Sequence, residues 1–204
     1  MFYPLRVDQI SFFSAEARGP RAGDLAGVLC GHGQVVSFGR TAARLSVELG
    51  EGLRARALAM ECGRRGVTAE VTSSAEGQPL VRTPFRVDLL PLADDWCAGE
   101  GKEVPGRFLL DGPTLRMWVL ACGIPTERGY LLPLDPEAPD THDPLSAALG
   151  TIGLPAQRVG PKAGGPALRV TGRRRLATLE ELVGRPPAGA EPLWPTPNPL
   201  RRAG

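Results

Sequence analysis

The chain has 204 residues, of which 42% are hydrophobic and 23% charged, so a folded chain of one unit, or of two small halves sharing a core, is expected rather than a disordered one. The formal net charge of only +2 at pH 7 excludes recognition of nucleic acid by bulk charge alone. The cysteines lack the Cys-x-x-Cys spacing, and neither a secretory leader nor an apolar run long enough to cross a bilayer is present. We therefore expect a cytoplasmic protein without a membrane role.

Hydrophobic periodicity and turn residues predict short helices and strands in the first part of the chain. Apolar residues alternate with polar ones from Ala43 to Leu49, as in a strand with one wet face, and recur at helical spacing from Leu53 to Arg65. In chain order we predict a helix capped by Asp24 and ending at 31–33, a strand that begins with 35–38, and a strand at 43–49. A helix at 53–65 and strands at 67–73 and 81–89 follow.

The second part repeats this order, and a shift of 90 positions aligns Gly123 with Gly33. We predict a helix at 114–122, a strand at 130–134, a helix at 144–152 capped by Asp143, a hairpin of 156–159 with 167–171, and a closing helix at 176–183. An internal duplication explains the pattern. The predicted division is a first half at 1–95, a connection at 96–106, a second half at 107–184, and a loose Pro-rich tail at 185–204.

Each predicted half opens on a related nonapeptide. The first is Leu25-Ala-Gly-Val-Leu-Cys-Gly-His-Gly33, and the second runs from Leu115 to Gly123. Both resemble the LAGLIDADG helix, which implies an α+β fold of two pseudo-symmetric αββαββ halves whose antiparallel sheets form a saddle. In that family the two motif helices pack side by side, where small residues allow close approach. The small residues expected in this interface are Ala26, Gly27, Gly31, Gly33, Ala121 and Gly123.

The sequence also resembles, more closely, the LAGLIDADG-like part of the WhiA family of bacterial DNA-binding regulators of sporulation and cell division. Three stretches carry this resemblance, namely Arg6-Val-Asp-Gln-Ile-Ser11, Asp24 to Val36 and Arg116 to Gly123. WhiA proteins continue into a helix-turn-helix domain, whereas Leu182-Val183-Gly184 is followed here by the Pro-rich tail. Promoter recognition by such a domain is therefore not expected of this sequence.

The acidic residues of the motif are replaced in both copies. In active LAGLIDADG endonucleases the last aspartate of the motif holds a divalent metal ion, and His32 and Cys122 stand at the equivalent places. Imidazole and thiol suit a softer ion such as zinc, but two ligands are too few for a stable zinc site, and both side chains could simply fill space under the sheet. We accordingly expect no catalytic residues, no enzyme activity, no bound metal and no cofactor.

Arginine supplies most of the basic residues, and its planar fork of donors suits phosphate groups. A high-GC genome explains many arginines equally well. In the resembled families the polar strand faces lie over DNA, which implies a non-catalytic binder of the duplex backbone as the main hypothesis. A protein-interaction module without DNA contact is the alternative, and a monomer with internal pseudo-two-fold symmetry is expected. The candidate DNA-binding residues are Arg40, Arg44, Arg82, Arg86, Arg169, Arg173, Arg174 and Arg175.

Overall fold

The computed structural model describes residues 14–98, 101–160 and 164–197. Over these ranges the chain forms six helices, two four-stranded antiparallel sheets and one two-stranded hairpin. The stretch from Arg6 to Ser11, one of the three that carry the WhiA resemblance, lies outside the described residues, as do the last residues of the predicted tail. No helix in the described ranges is long and apolar enough to cross a membrane.

The first sheet, sheet A, contains four strands in the order β1, β2, β4, β3. Burial along β2 alternates residue by residue, as the period-two sequence pattern predicts. The turn between β1 and β2 places Gly39 and Arg40 at positive φ values of 52° and 59°, which bends the chain within a few residues. The strands are β1 (Gln34–Phe38), β2 (Ala42–Glu48), β3 (Glu70–Ser73) and β4 (Pro79–Arg82).

The second sheet, sheet B, repeats this topology with shorter strands in the order β7, β8, β10, β9. The hairpin between β5 (Cys97–Ala98) and β6 (Gly101–Lys102) lies in the predicted connection between the halves. The equivalent order in the two sheets agrees with the predicted duplication. The strands of sheet B are β7 (Ile124–Thr126), β8 (Gly129–Pro133), β9 (Gln157–Val159) and β10 (Ala167–Val170).

Three helices belong to each half, so the predicted αββαββ order is present with a further helix after each second pair of strands. The third helix of the first half was missed, because its residues were predicted as strand up to Leu89 and as connection from Trp96. Its signal is Pro91 in the first turn, followed by buried Leu92, Ala93 and Trp96 at helical spacing. The helices are α1 (Ala26–Leu29), α2 (Gly52–Arg64), α3 (Leu90–Trp96), α4 (Gly112–Cys122), α5 (His142–Thr151) and α6 (Arg173–Val183).

The two motif helices, α1 and α4, pack against each other in the centre of the molecule. A side chain at Gly27 would overlap the Thr114 carbonyl oxygen and approach the Trp118 nitrogen to 2.8 Å. At Gly31 a Cβ would lie 2.6 Å from the sulfur of Cys122, so these two glycines allow the close approach. Trp118 of α4 is fully buried.

The other small residues of the motifs occupy different surroundings. Ala26 and Ala121 are buried. Added side chains at Gly33 and Gly123 would meet Val28 and Tyr130, which belong to their own halves rather than to the opposite helix. Their small size therefore lets the chain turn tightly at each motif end.

Acidic residues lie at the beginning of both motif helices and share one arginine. Asp111 caps α4 by accepting a hydrogen bond from the Thr114 amide at 3.0 Å. Asp24 does not cap its helix as predicted, because it lies inside a 3₁₀ turn and accepts from the Arg21 amide at 3.0 Å. Arg18 bridges the two carboxylates at 2.7 Å and 2.6 Å. Acidic groups at helix beginnings also complement the helix dipole.

The described part of the C-terminal tail packs on the core, which corrects the expectation of a loose segment. Trp194 is 3% exposed, and its indole nitrogen donates to the Gly184 carbonyl at 2.6 Å. The ring lies 5.0 Å from the guanidinium of Arg116. That guanidinium also contacts Glu61 of α2 at 3.1 Å, so tail, motif helix and α2 are held together. Burial of the Trp194 ring therefore orders this segment, despite the turn-forming prolines around it.

Candidate nucleic-acid interface and the seam between the halves

The face of sheet A directed away from the helices, here called open face A, carries two of the eight arginines predicted to contact DNA, Arg44 and Arg82. Its residues alternate along the strands with the buried ones. The register pairs Val36 with Arg44 and Ser46 with Arg82, which places both arginines on this face. Open face A consists of Gln34, Val36, Phe38, Arg44, Ser46, Glu48, Glu70, Thr72, Leu80 and Arg82.

Arg44 is held in place by an aromatic pair. Its guanidinium lies 4.5 Å from the ring centre of Phe85, and that ring lies 5.8 Å from Phe38. The Nε of Arg44 is buried without a hydrogen-bond acceptor among the described residues. A cation–π contact fixes the plane of the guanidinium but leaves its hydrogen-bond donors free. The contact with Phe85 therefore restrains the orientation of the Arg44 guanidinium on open face A.

A cleft of about 490 Å³ runs from open face A to the loop after β8 in the second half. Arg44 and Arg82 of the first half and Asp135 and Glu137 of the second line it, so both halves contribute. His32, at the end of the first motif, also lines this cleft. The remaining lining residues are Gln34, Ser46, Val47, Glu48, Leu80 and Pro136.

The corresponding face of sheet B, open face B, has a different character. Arg169 lies opposite Leu131 and Gln157, and Leu131 also lies opposite Ile124, so a single arginine is set among apolar and amide side chains. Ile124 is 45% exposed. Open face B therefore offers less positive charge than open face A.

The other predicted DNA-binding residues are dispersed. Arg40 occupies the β1–β2 turn, beyond the strands. Arg86 lies opposite Ala43, whose side chain faces the core, and forms an ion pair with Asp88 at 2.6 Å. Residues 173–175 begin α6, which packs on α4, and line a cleft with Gly153 at the end of α5. Of the eight candidates, the structure brings together Arg44 and Arg82.

The ends of the two motif helices meet near the cleft that Arg44 and Arg82 line. A basic side chain donates hydrogen bonds to the carbonyls at each of these ends. The Lys102 ammonium donates to the carbonyls of Gly31 at 2.6 Å and Gly33 at 3.1 Å. The guanidinium of Arg54 donates to the carbonyls of Leu120 and Gly123, both at 2.9 Å. Helix ends carry unpaired carbonyls and partial negative charge, and both cations satisfy them.

Lys102 also joins the two halves electrostatically. Its ammonium lies 2.5 Å from a carboxylate oxygen of Asp135, with both side chains less than a tenth exposed. The amide of Gln34 donates to the same oxygen at 3.1 Å. Burial alone would raise the pKa of Asp135, but the hydrogen bond from Lys102 and its charge hold that pKa below the usual value. Asp135 therefore stays ionised.

The two replaced motif positions, His32 and Cys122, line a second cleft of about 570 Å³ between the halves. Partial burial, with the positive charge of Lys102 adding to it, lowers the pKa of His32, and the nearby Asp135 opposes this effect. Burial raises the pKa of Cys122 to about 12, so its thiol is neutral at physiological pH. The ring of His32 is exposed, whereas the sulfur of Cys122 packs against Gly31.

These groups do not fit a divalent ion. Within the described ranges no three His, Cys, Asp or Glu side chains cluster closely enough to hold a metal. The carboxylate of Asp135 is already paired with Lys102, and the neutral thiol of Cys122 is a poor ligand. We therefore assign no metal-dependent step to these residues.

The charged residues between the two halves, Lys102, Arg54 and Asp135, were not predicted from the sequence to be functional. Lys102 was placed in an unstructured connection, Arg54 was one basic residue on an amphipathic helix, and Asp135 follows a strand without a motif. Lys102 alone had a signal in the sequence, because it is one of very few lysines in a chain whose basic residues are mostly arginine.

Comparison with known proteins supports the architecture. No protein-family model and no curated protein sequence matches the chain. Its fold is similar to the solved structure of the homing endonuclease I-WcaI bound to its DNA recognition sequence, with a TM-score of 0.56 and 12% identity over 78% of each chain. The chain has the LAGLIDADG homing-endonuclease fold, as predicted. An identity of 12% carries the likeness no further than the fold.

This likeness corrects one prediction. The expectation that the chain is not an enzyme is wrong, because the scaffold is shared with a homing endonuclease. Replacement of the motif acids by His32 and Cys122 is not a sufficient ground for excluding enzyme activity.

Proposed function

We propose that this protein binds duplex DNA, and that open face A makes the principal contacts. The observation that carries the proposal is the cleft lined by Arg44, Arg82 and Gln34, which lie on three neighbouring strands of open face A. Arginine pairs with guanine edges and glutamine with adenine edges in the major groove, so this set can read sequence. The DNA-bound structure of I-WcaI, which shares the fold, supports the same class of ligand.

The charge balance of the cleft favours selective over indiscriminate binding. Glu48 and Glu137 also line it, and Glu70 lies opposite Arg82 across the strands. Carboxylates repel phosphate but accept a hydrogen bond from the cytosine amino group. We therefore expect moderate affinity, a clear dependence on base sequence, and a shallow dependence on salt.

Selection from a random duplex library tests this proposal. Labelled duplexes retained by the protein in low salt and EDTA are expected to converge on one sequence, and anisotropy should then give binding at micromolar protein or below. A library that does not converge, together with no binding at micromolar protein, would overturn the proposal. Incubating plasmid DNA with MgCl₂ measures cleavage separately from binding.

A finer proposal concerns the biological role. The resemblance of Asp24 to Val36 and of Arg116 to Gly123 to WhiA proteins supports gene regulation through DNA binding. Selected sequences should then occur upstream of genes whose transcription changes when the protein is depleted. Selected sequences without any such transcriptional change would count against this role.

A protein-interaction module is the second candidate, and one observation favours it. Phe38 is 68% exposed, Val36 is 44% exposed, and both lie on open face A beside Phe85. Exposed apolar clusters mark interaction surfaces. Val36→Ser, which leaves the Phe38–Phe85 pair beside Arg44 intact, should weaken capture of such a partner and leave DNA affinity within about threefold, whereas Arg82→Ala should do the opposite.

A further inference from the structure

Four electronegative oxygens surround the end of the first motif helix. Two are the carbonyl oxygens of Gly31 and Gly33, and two belong to the carboxylate of Asp135. One Asp135 oxygen accepts hydrogen bonds from Gln34 and Lys102, and the other accepts from the Glu137 amide at 3.0 Å. Buried acceptors of this kind require donors, and a buried carboxylate requires a positive charge.

Lys102 meets both requirements with one group. Its ammonium lies within 3.1 Å of both carbonyls and 2.5 Å from the carboxylate, and its side chain is 8% exposed. An ammonium is a compact charge with three donors, and three acceptors surround it here. The second motif helix uses Arg54 at its own end, but without a carboxylate among that guanidinium's hydrogen-bond partners.

We propose that the end of the first motif helix is a cation site that the chain fills with the ammonium of Lys102. The divalent ion expected from the LAGLIDADG endonucleases does not fit the residues present. The ammonium group of Lys102 supplies the positive charge at the helix end instead. The class of ligand is a primary alkylammonium ion on a straight carbon chain. The site links α1 to the loop after β8 and so connects the two halves. This proposal is independent of DNA binding.

The site can be tested by removing the Lys102 side chain and then adding the missing part back as a free amine in solution. Lys102→Ala removes three carbons and an ammonium group, which together correspond to n-propylammonium. The melting temperature of the variant should fall by about 5–10 °C, because Asp135 is left buried and unpaired. Millimolar n-propylammonium chloride should recover a substantial part of this loss in the variant and leave the wild-type melting temperature unchanged.

Three controls separate charge, shape and ionic strength. n-Propanol has the shape without the charge, and tetramethylammonium chloride has the charge without the shape. Neither should recover stability. Lys102→Met should lose stability without recovery, because its side chain fills the space that the added amine would enter. Equal recovery with all three additives, or a Lys102→Ala melting temperature within about 1 °C of the wild type, would overturn the proposal.

A second pair of variants covers the case in which Lys102→Ala does not fold. In Lys102→Met the unpaired carboxylate of Asp135 causes the loss, so adding Asp135→Asn should cost little more or even restore stability. Simple addition of the two single losses would overturn the proposal.

Discussion

The two halves share one topology but differ in what they present to solvent. Open face A carries Arg44 and Arg82 within a mixed polar set, whereas open face B has Arg169 among apolar side chains. The inward faces are alike, since both consist mainly of buried aliphatic residues, with Tyr130 as an aromatic addition in sheet B. Duplication of a scaffold therefore preserves the buried pattern, while the solvent faces diverge in charge. If the protein binds DNA as proposed, this difference places recognition mainly in the first half, whereas both halves contribute to packing.

The helix packing common to both halves should be the most sensitive feature. Gly27→Ala places a methyl group against the Thr114 carbonyl oxygen and the Trp118 nitrogen. We expect a loss of about 3 kcal/mol in the free energy of unfolding, measured by urea denaturation. Gly63→Ala is the matched control, because that glycine is exposed in α2 with nothing near its Cβ position. The control should be neutral or stabilising by about 0.5 kcal/mol, and equal losses would contradict the packing argument.

The end of the second motif helix should respond next. Arg54→Ala removes the donors to three carbonyls of α4 and its following residue. The expected loss is about 2 kcal/mol, because the carbonyls of Leu120 and Gly123 lose this buried donor, whereas that of Val119 still accepts from the Gly123 amide. Arg56→Ala, an exposed change in the same helix, should cost less than about 0.5 kcal/mol. Thermal melts of the two variants under identical conditions provide the measurement.

Acid should weaken the contacts that join the halves. Although burial opposes it, the hydrogen bonds from Arg116 and Arg65 lower the pKa of Glu61, and those from Lys102 lower that of Asp135. A carboxyl whose folded pKa is depressed stabilises the protein above its unfolded pKa, near 4, and loses that contribution as pH falls through the folded pKa. The melting temperature should therefore fall steeply below about pH 4.

Glu61→Gln tests the acid prediction. The variant should be less stable than the wild type at pH 7, and its melting temperature should change less between pH 5 and pH 3. Parallel pH profiles for the two proteins would contradict the assignment of acid sensitivity to Glu61.

The difference between the two open faces should show in DNA affinity. Arg82→Ala should weaken binding of the selected duplex by about tenfold, the effect of losing one good base or phosphate contact. Arg169→Ala, the matched change on open face B, should weaken it by less than about threefold. Anisotropy titrations of both variants against one duplex give the ratio. Equal effects would mean that both faces contribute alike.

The spacing of apolar residues that become buried made much of the fold predictable from the sequence. Alternation in β2, helical spacing in α2 and the glycines of both motifs led to the correct αββαββ order in the first half, whereas β7 of the second half was not predicted. The failures have local causes. Helix α3 was missed because seven residues contain few turns of periodicity, and the packed tail was missed because the prolines near Trp194 favoured an irregular segment.

The candidate site was less predictable than the fold. Arg44 and Arg82 were predicted to contact DNA, but so was the basic run at Arg173–Arg175. Sequence spacing does not show on which side of a sheet such a run lies. Lys102 and Asp135 lie far apart in the chain, and their contact depends on the packing of the two halves. Long-range ion pairs of this kind carry no local sequence signal.

We propose that open face A, rather than the basic run at Arg173–Arg175, binds DNA. The direct test compares the double variant Arg44→Ala, Arg82→Ala with the triple variant Arg173→Ala, Arg174→Ala, Arg175→Ala in anisotropy titrations of one selected duplex. We expect the double variant to lose about 100-fold in affinity and the triple variant less than about threefold. Wild-type affinity in the double variant, or a larger loss in the triple variant, would contradict the account.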